Sequence, residues 1–143
     1  MKIARAGIER MVPHAGAMCL LDGVTEWSET TIACTSASPA ADHPLAREGR
    51  VPAIVATEYA AQATAVHGAL LEQSGAPRAG MLATLVDVQL GGTWMPADGA
   101  ALAIRAELLG RSAAGCMYRF EVATPRTLVA SGRLTVVLGE PAR

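Results

Sequence analysis

The sequence predicts an α+β protein in which one long helix packs against an antiparallel sheet of five or six strands. The helix is indicated by residues 52–73, which are mostly small and apolar and lead into the chain-breaking Ser-Gly-Ala-Pro of residues 74–77. The sheet is indicated by segments in which apolar and polar residues alternate, separated by turns rich in Gly, Pro, Ser and Asp. Since no strand–helix–strand repeat occurs, the pattern favours an antiparallel sheet over a parallel one.

The elements follow one another in a simple order. Two strands joined by a polar turn come first, at residues 20–27 and 30–35, and a loop over residues 36–50 follows them. The helix begins at Pro52, because proline suits the first helical position. In residues 102–108 charged and apolar side chains alternate, so one face of the sheet meets solvent or a second subunit. The later predicted strands are residues 80–90, 101–110, 116–124 and 127–138.

Length and composition bound the class of protein. With 143 residues, 51% of them hydrophobic and 17% charged, the chain is expected to form one domain over residues 1–143. A net charge of −1 without a basic run argues against a nucleic-acid partner. We expect neither a membrane span nor a signal peptide, and therefore a cytoplasmic protein. Cys19, Cys34 and Cys116 match no zinc or redox spacing, so we expect reduced, packed thiols and no metal or redox cofactor.

Glu58 is the most informative residue in the sequence. It is a carboxylate within a helix that is otherwise apolar on nearly every side, and such a helix is usually buried. An isolated buried charge is costly unless it is paired or neutralised. We therefore interpret Glu58 as an acid or base held in a dry site. The alternative is a carboxylate on a solvated helix edge or one that satisfies a buried backbone group.

Helical geometry separates the other polar candidates. At about 100° per residue, Gln62 lies about 40° from Glu58, one turn away on the same face. His67 lies about 180° from Glu58, so the two cannot form a pair, and we interpret His67 as a helix-surface or subunit-interface residue. A histidine partner must come from elsewhere. His43, in the loop before the helix, and His14, nearer the start of the chain, are the candidates, because imidazole titrates near neutral pH.

The helix start offers a further candidate feature. Val51, the residue before Pro52, has no side-chain oxygen that could cap the first helical amides. We expect amides from Ala53 onward to point at an oxyanion or a polarised carbonyl, or else at water.

Three stretches carry motifs that occur together in one known family. Residues 12–24 read Val-Pro-His-x-x-x-Met-x-Leu-Leu-Asp-x-Val, and residues 52–63 read Pro-Ala-x-x-x-x-Glu-Tyr-x-Ala-Gln-Ala. Residues 95–99 form a Met-Pro-Ala-Asp-Gly turn. Together they resemble the β-hydroxyacyl-acyl-carrier-protein dehydratases. The His-Pro and Gly-Arg-x-Pro-Ala of residues 43–53 are most similar to a dehydratase-like branch found with aryl-polyene and related fatty-acid or polyketide gene sets.

The resemblance implies a hot-dog fold, in which the sheet wraps the central helix and two subunits join edge to edge. It also implies a site at the subunit interface, where the histidine of one subunit meets the glutamate of the other. On this basis His43 is the expected catalytic histidine, Glu58 the catalytic glutamate and Gln62 the residue that orients the glutamate. Pro52 and Ala53 are the expected substrate-binding residues, with His14 as the second candidate histidine. Here the family's Gly-His-Phe-Pro-Gly segment is reduced to Asp-His-Pro at residues 42–44.

The function implied is dehydration of a 3-hydroxyacyl thioester to the trans-2-enoyl thioester, with no cofactor. His43 would remove the C2 proton, and Glu58 would donate a proton to the departing hydroxyl, which requires a raised pKa of Glu58. The substrate would be carried by an acyl carrier protein or by CoA. Carrier proteins are usually acidic, so Arg47, Arg50 and Arg78 are expected to contact one.

Two alternative functions follow from the same residues. One is an acyl-thioester hydrolase on the same fold, with Glu58 as the base that activates water. The other is a non-catalytic subunit that pairs with an active homologue, which the altered histidine segment favours. The expected assembly is a homo-oligomer, a dimer or larger, and the alternative is a heteromer with a related dehydratase.

Overall fold

The computed structural model describes residues 2–12, 18–72 and 80–138, with the backbone alone for residues 80, 81 and 138. It contains one long helix and a sheet of seven strands, rather than the five or six expected. The additional strand has two residues, and a helix of five residues follows it. Both are too short to produce a periodic pattern in the sequence. The elements are β1 (Ile3–Ala4), α1 (Arg5–Glu9), β2 (Gly23–Trp27), β3 (Thr31–Ser36), α2 (Ala56–Leu71), β4 (Gly80–Leu90), β5 (Leu102–Arg111), β6 (Gly115–Ala123) and β7 (Leu128–Leu138).

All strand pairs are antiparallel, and the strand order is β1-β2-β3-β5-β6-β7-β4. Helix α2 packs on one face of this sheet, against β3, β5, β6 and β7. In β5 the buried Leu102 and Ile104 alternate with the exposed Ala103 and Arg105, so the predicted alternation is confirmed. The predicted α+β architecture, one long helix on an antiparallel sheet, is confirmed as well.

The central helix begins with a 3₁₀ turn at Ala53–Val55 and continues as α2 to Leu71. Ala56, Ala60 and Ala63 are fully buried, and their small side chains let the sheet approach the helix closely. The expected stop signal at residues 74–77 lies outside the described residues, as does Gln73, the expected last residue of the helix.

His67 belongs to the core of the protein, so the prediction of a surface or interface residue is wrong. Its side chain is 0% exposed. The Nε2–H donates to the carbonyl oxygen of Ser28 (2.8 Å), and Nδ1 accepts from the hydroxyl of Tyr118 (2.7 Å). Both ring nitrogens are therefore satisfied in the neutral form, and burial lowers the pKa of His67.

Strand β4 stands at the end of the strand order and pairs with β7 along one edge. Leu85 and Leu90 lie opposite the buried Leu134 and Ala130, which places them on the helix side of the sheet. Both leucines are nevertheless exposed, because α2 packs over the middle of the sheet. Within the described part of the chain, one edge of β4 and the adjoining apolar surface are therefore uncovered.

The three cysteines are buried, which confirms their packing inside the fold. Among the described residues, no helix is both long enough and apolar enough to cross a membrane.

Candidate active site

The loop between β3 and α2 places His43 beside the helix. The His43 amide donates to the carbonyl of Ala40 (3.0 Å), and its carbonyl accepts from the Ala46 amide (2.9 Å). A tight turn follows, in which Arg47 and Arg50 exchange two backbone hydrogen bonds. Its two central residues, Glu48 and Gly49, have φ of 53° and 77°, the left-handed values of a two-residue hairpin turn. The turn reverses the chain immediately before the helix begins.

His43 makes two hydrogen bonds through its ring. The backbone N–H of Leu45 donates to Nδ1 (3.0 Å), and Nε2 lies 2.9 Å from the hydroxyl oxygen of Tyr59. Because Nδ1 accepts a hydrogen bond, the proton of the neutral ring is on Nε2, which then donates to Tyr59. Burial lowers the pKa of His43, although the negative charge of Asp42 opposes this effect.

Tyr59 is a residue of this site that the sequence interpretation missed. Its side chain is 2% exposed, and burial raises its pKa to about 12, so its hydroxyl stays protonated near neutral pH. The one sequence feature that could have indicated a role for Tyr59 is its position next to Glu58 in the helix motif. Nothing in the sequence alone links it to a loop sixteen residues earlier.

Glu58 is exposed in the single chain, which matches the alternative of a solvated helix edge, and a dry site at a subunit interface stays a prediction. It lies in the first turn of α2, and the exposed Ile54 lies one turn before it on the same face. Tyr59 is the next residue and points about 100° away, into the core. His43 and Glu58 therefore flank the helix start, but the hydrogen-bond partner of His43 is Tyr59.

Gln62 is buried, with 3% of its surface exposed, and its amide binds the backbone just before β2. Its Oε1 accepts from the Leu20 amide (2.8 Å), and its Nε2 donates to the carbonyl of Met18 (2.7 Å). The expected role of orienting Glu58 is thus not the one these hydrogen bonds perform. Gln62 instead fixes residues 18–20 against the helix.

At the helix start, the amides of Ala53 and Val55 already have hydrogen-bond acceptors within the protein. The Ala53 amide donates to the carbonyl of Thr93 (2.9 Å), and the Val55 amide donates to that of Pro52 (3.0 Å). Pro52 also forms a bridge to Trp94. The prediction that the Ala53 amide is available to an oxyanion is wrong, because a neighbouring loop has already satisfied it.

A cleft of about 340 Å³ opens between the His43 loop and the helix start. This volume is within the usual range of small-molecule sites. Most of its surface is apolar, and Arg47 supplies a charged group at its wall. The lining residues are Pro44, Leu45, Ala46, Arg47, Pro52, Ile54 and Val55.

A larger cleft of about 650 Å³ lies on the opposite face of the sheet. Its walls carry charges of both signs, among them the ion pairs of Arg119 with Glu107 (3.0 Å) and of Arg133 with Asp87 (2.6 Å). None of the candidate site residues lines it, whereas Pro52, an expected substrate-binding residue, lines the smaller cleft beside the His43 loop. His14 and Arg78 lie outside the described residues. Within the described part of the chain, no three His, Cys, Asp or Glu side chains cluster as a metal site requires.

A long helix packed on an antiparallel sheet, with a carboxylate in its first turn and a histidine in the preceding loop, is the architecture of a hot-dog protein. The chain belongs to the ApeP-like family, whose model, described as ApeP dehydratase, matches residues 6–142. This match confirms the resemblance to dehydratases predicted from the sequence. No curated protein matches the chain significantly.

Solved structures confirm the hot-dog fold. The dehydratase heterocomplex ApeI:P from Xenorhabdus doucetiae is 26% identical, with a TM-score of 0.81 over 93% of this chain and 91% of that chain. A thioesterase from Haemophilus influenzae is 13% identical, with a TM-score of 0.67 over 96% of this chain and 92% of that one. Thioesterase superfamily member 2 from zebrafish is 14% identical, with a TM-score of 0.66 over 96% of this chain and 99% of that chain. At these low identities, the two thioesterases show only that this chain has the same fold.

Proposed function

We propose that the protein takes part in removing water from a 3-hydroxyacyl thioester to give the trans-2-enoyl thioester, in aryl-polyene or related fatty-acid-type synthesis. The observation that carries the proposal is the match of residues 6–142 to a dehydratase family. The geometry supports it, because an acid, Glu58, and the His43 loop lie at the helix start beside an apolar cleft of about 340 Å³. Such a cleft suits an acyl chain rather than a polar substrate.

A second subunit is part of the proposal. The edge of β4 and the exposed Leu85 and Leu90, which lie on the helix side of the sheet, form an apolar surface that another chain would cover. The partner is a second copy of this chain or a related dehydratase, as in the heterocomplex to which the chain is similar. A subunit seated beside the helix start would also take Glu58 out of water, which favours the protonated acid that the reaction needs.

In the proposed reaction a base removes the C2 proton while Glu58 gives its proton to the 3-hydroxyl. The electrons of the C2–H bond form the C2–C3 double bond, the C3–O bond breaks, and water leaves. The base must offer a nitrogen lone pair. In this structure His43 offers none, because Nδ1 accepts from Leu45 and Nε2 carries the proton that is donated to Tyr59. His43 can act as the base only if Nδ1 releases the Leu45 amide, or if the ring proton moves to Nδ1 and Nε2 releases the Tyr59 hydroxyl.

That geometry favours a second candidate function. In it the chain is the partner subunit of an active dehydratase and supplies Glu58 but no base. The partner would then provide the histidine. The similarity to one chain of a dehydratase heterocomplex supports this alternative. A hot-dog thioesterase is the remaining alternative, and it has support from the fold alone.

One experiment separates these functions. The purified chain, alone and mixed with a related dehydratase subunit from the same gene set, receives a 3-hydroxyacyl thioester and a saturated acyl thioester. Loss of water from the first by the chain alone indicates a complete enzyme. Loss of water by the mixture only indicates a partner subunit. Free thiol from the saturated substrate indicates a thioesterase, and the dehydratase proposal then fails.

The role of Glu58 is tested with Glu58→Gln in whichever preparation is active. A general acid contributes about 10²- to 10⁴-fold, so we expect turnover to fall by that factor. The matched control is Glu72→Gln, since Glu72 follows the same helix at its far end. Equal turnover in the two variants would remove Glu58 from the mechanism.

The carrier is proposed to be an acyl carrier protein. Arg47 lines the cleft, and the guanidinium of Arg50 lies over the Trp94 ring, 3.9 Å from its centroid, which holds the charge beside the cleft. We expect Arg50→Glu to raise KM for a carrier-bound substrate and to leave KM for a small thioester unchanged. Arg111→Glu, near His67 rather than the helix start, is the control. A uniform change with both substrates would contradict docking at Arg50.

A further inference from the structure

The protein contains two histidine–tyrosine pairs that differ in the direction of the hydrogen bond. In the core pair, Nε2–H of His67 is committed to the Ser28 carbonyl, so the Tyr118 hydroxyl must donate to Nδ1 (2.7 Å). In the site pair, Nδ1 of His43 is committed to the Leu45 amide, so Nε2–H must donate to the Tyr59 oxygen (2.9 Å). One tyrosine is therefore a donor to its histidine and the other is an acceptor.

The hydrogen bond between His43 and Tyr59 joins the loop to the helix and restricts the orientation of the imidazole ring. His43 is half-buried and lies in a loop, where its ring could rotate about the side-chain bonds. Tyr59 is packed on the core side of α2 and cannot move without disturbing the helix. The Leu45 amide selects which nitrogen is protonated, and the Tyr59 hydroxyl selects where that nitrogen points.

We infer that Tyr59 is a positioning residue for His43, whose hydroxyl oxygen holds the imidazole as a neutral hydrogen-bond donor with neither nitrogen free to accept a proton. The inference deepens the proposed function, on which it rests for the assignment of His43 to the site. Because the Tyr59 oxygen accepts from His43, the hydrogen bond between them does not use the hydroxyl hydrogen of Tyr59. The pair therefore forms a chain of donors that runs from the loop to the helix.

The test is nitrogen-15 NMR of the imidazoles at alkaline pH, where the rings are neutral. The chain has three histidines, and a His43→Gln variant assigns the His43 signals. In the natural sequence we expect Nδ1 of His43 as an unprotonated acceptor and Nε2–H as a proton in slow exchange with water. A protonated Nδ1, or a mixture of the two tautomers, would overturn the inference.

Tyr59→Phe removes only the hydroxyl, and Tyr118→Phe is its matched control. We expect Tyr59→Phe to move the Nε2 signal of His43, to bring its proton into fast exchange and to leave His67 unchanged. Tyr118→Phe should move Nδ1 of His67 and leave His43 unchanged, because that tyrosine is a donor to its histidine. Unchanged His43 signals in Tyr59→Phe would refute the positioning role. The readout does not involve turnover, so it is independent of whether the dehydratase proposal succeeds.

Discussion

Replacement of Gln62 by leucine distinguishes the role that its hydrogen bonds support from the one expected from the sequence. Leucine has a similar size but no polar atoms, so the Leu20 amide and the Met18 carbonyl lose their partners. The Leu20 amide is buried, and leaving such a group unsatisfied costs about 1–3 kcal/mol. The Met18 carbonyl is only partly buried and adds about 0.5–1.5 kcal/mol. We expect the free energy of unfolding to fall by about 2–4 kcal/mol in total.

Urea unfolding followed by circular dichroism measures this loss. Gln89→Leu on exposed β4 is the control, and it should change stability by less than about 0.5 kcal/mol. A double-mutant cycle with Glu58→Gln then tests the orienting role directly. If Gln62 holds the 18–20 segment, the two changes add within about 0.5 kcal/mol. A larger coupling energy, or an unchanged stability of Gln62→Leu, would refute the structural role argued from these distances.

Two further predictions concern acidity and close packing. The pKa of His67 and of His43 is lowered below the ordinary 6.5 by burial, so the unfolded chain binds protons at a pH where the folded chain does not. The free energy of unfolding is therefore highest above about pH 6.5 and decreases as the pH drops below that value. In urea unfolding at several pH values, His67→Gln should make this decrease smaller. A Cβ on Gly91 would lie 2.0 Å from the Leu128 carbonyl oxygen, whereas one on Gly92 would meet nothing within 4 Å. Gly91→Ala should cost about 1–3 kcal/mol more than Gly92→Ala in thermal unfolding, and equal melting temperatures would contradict this packing.

Local sequence patterns predicted the parts of the fold that depend on local periodicity. The alternation of residues 102–108 depends on one strand with one buried face, and it appears in the structure as expected. The small, apolar character of the helix likewise predicted its place against the sheet. Both features depend on patterns within consecutive residues, so they could be predicted without knowledge of contacts between distant parts of the chain.

The site was harder to predict because its contacts join distant parts of the chain. Gln62 and Glu58 lie about 40° apart on the helix, yet Gln62 is buried against residues 18–20 and Glu58 is exposed. His67 was misplaced because its partner, Tyr118, is 51 residues away. The Ala53 amide was expected to be free because its acceptor, the Thr93 carbonyl, lies in a loop of no evident pattern.

The uncovered β4 edge has a consequence for how the protein is made. Within the described residues one edge of β4 pairs with no other strand, and an edge of this length beside exposed apolar side chains is prone to pair with further copies of the chain. If a second subunit covers this edge as proposed, expression of the chain without that subunit should lower its soluble yield.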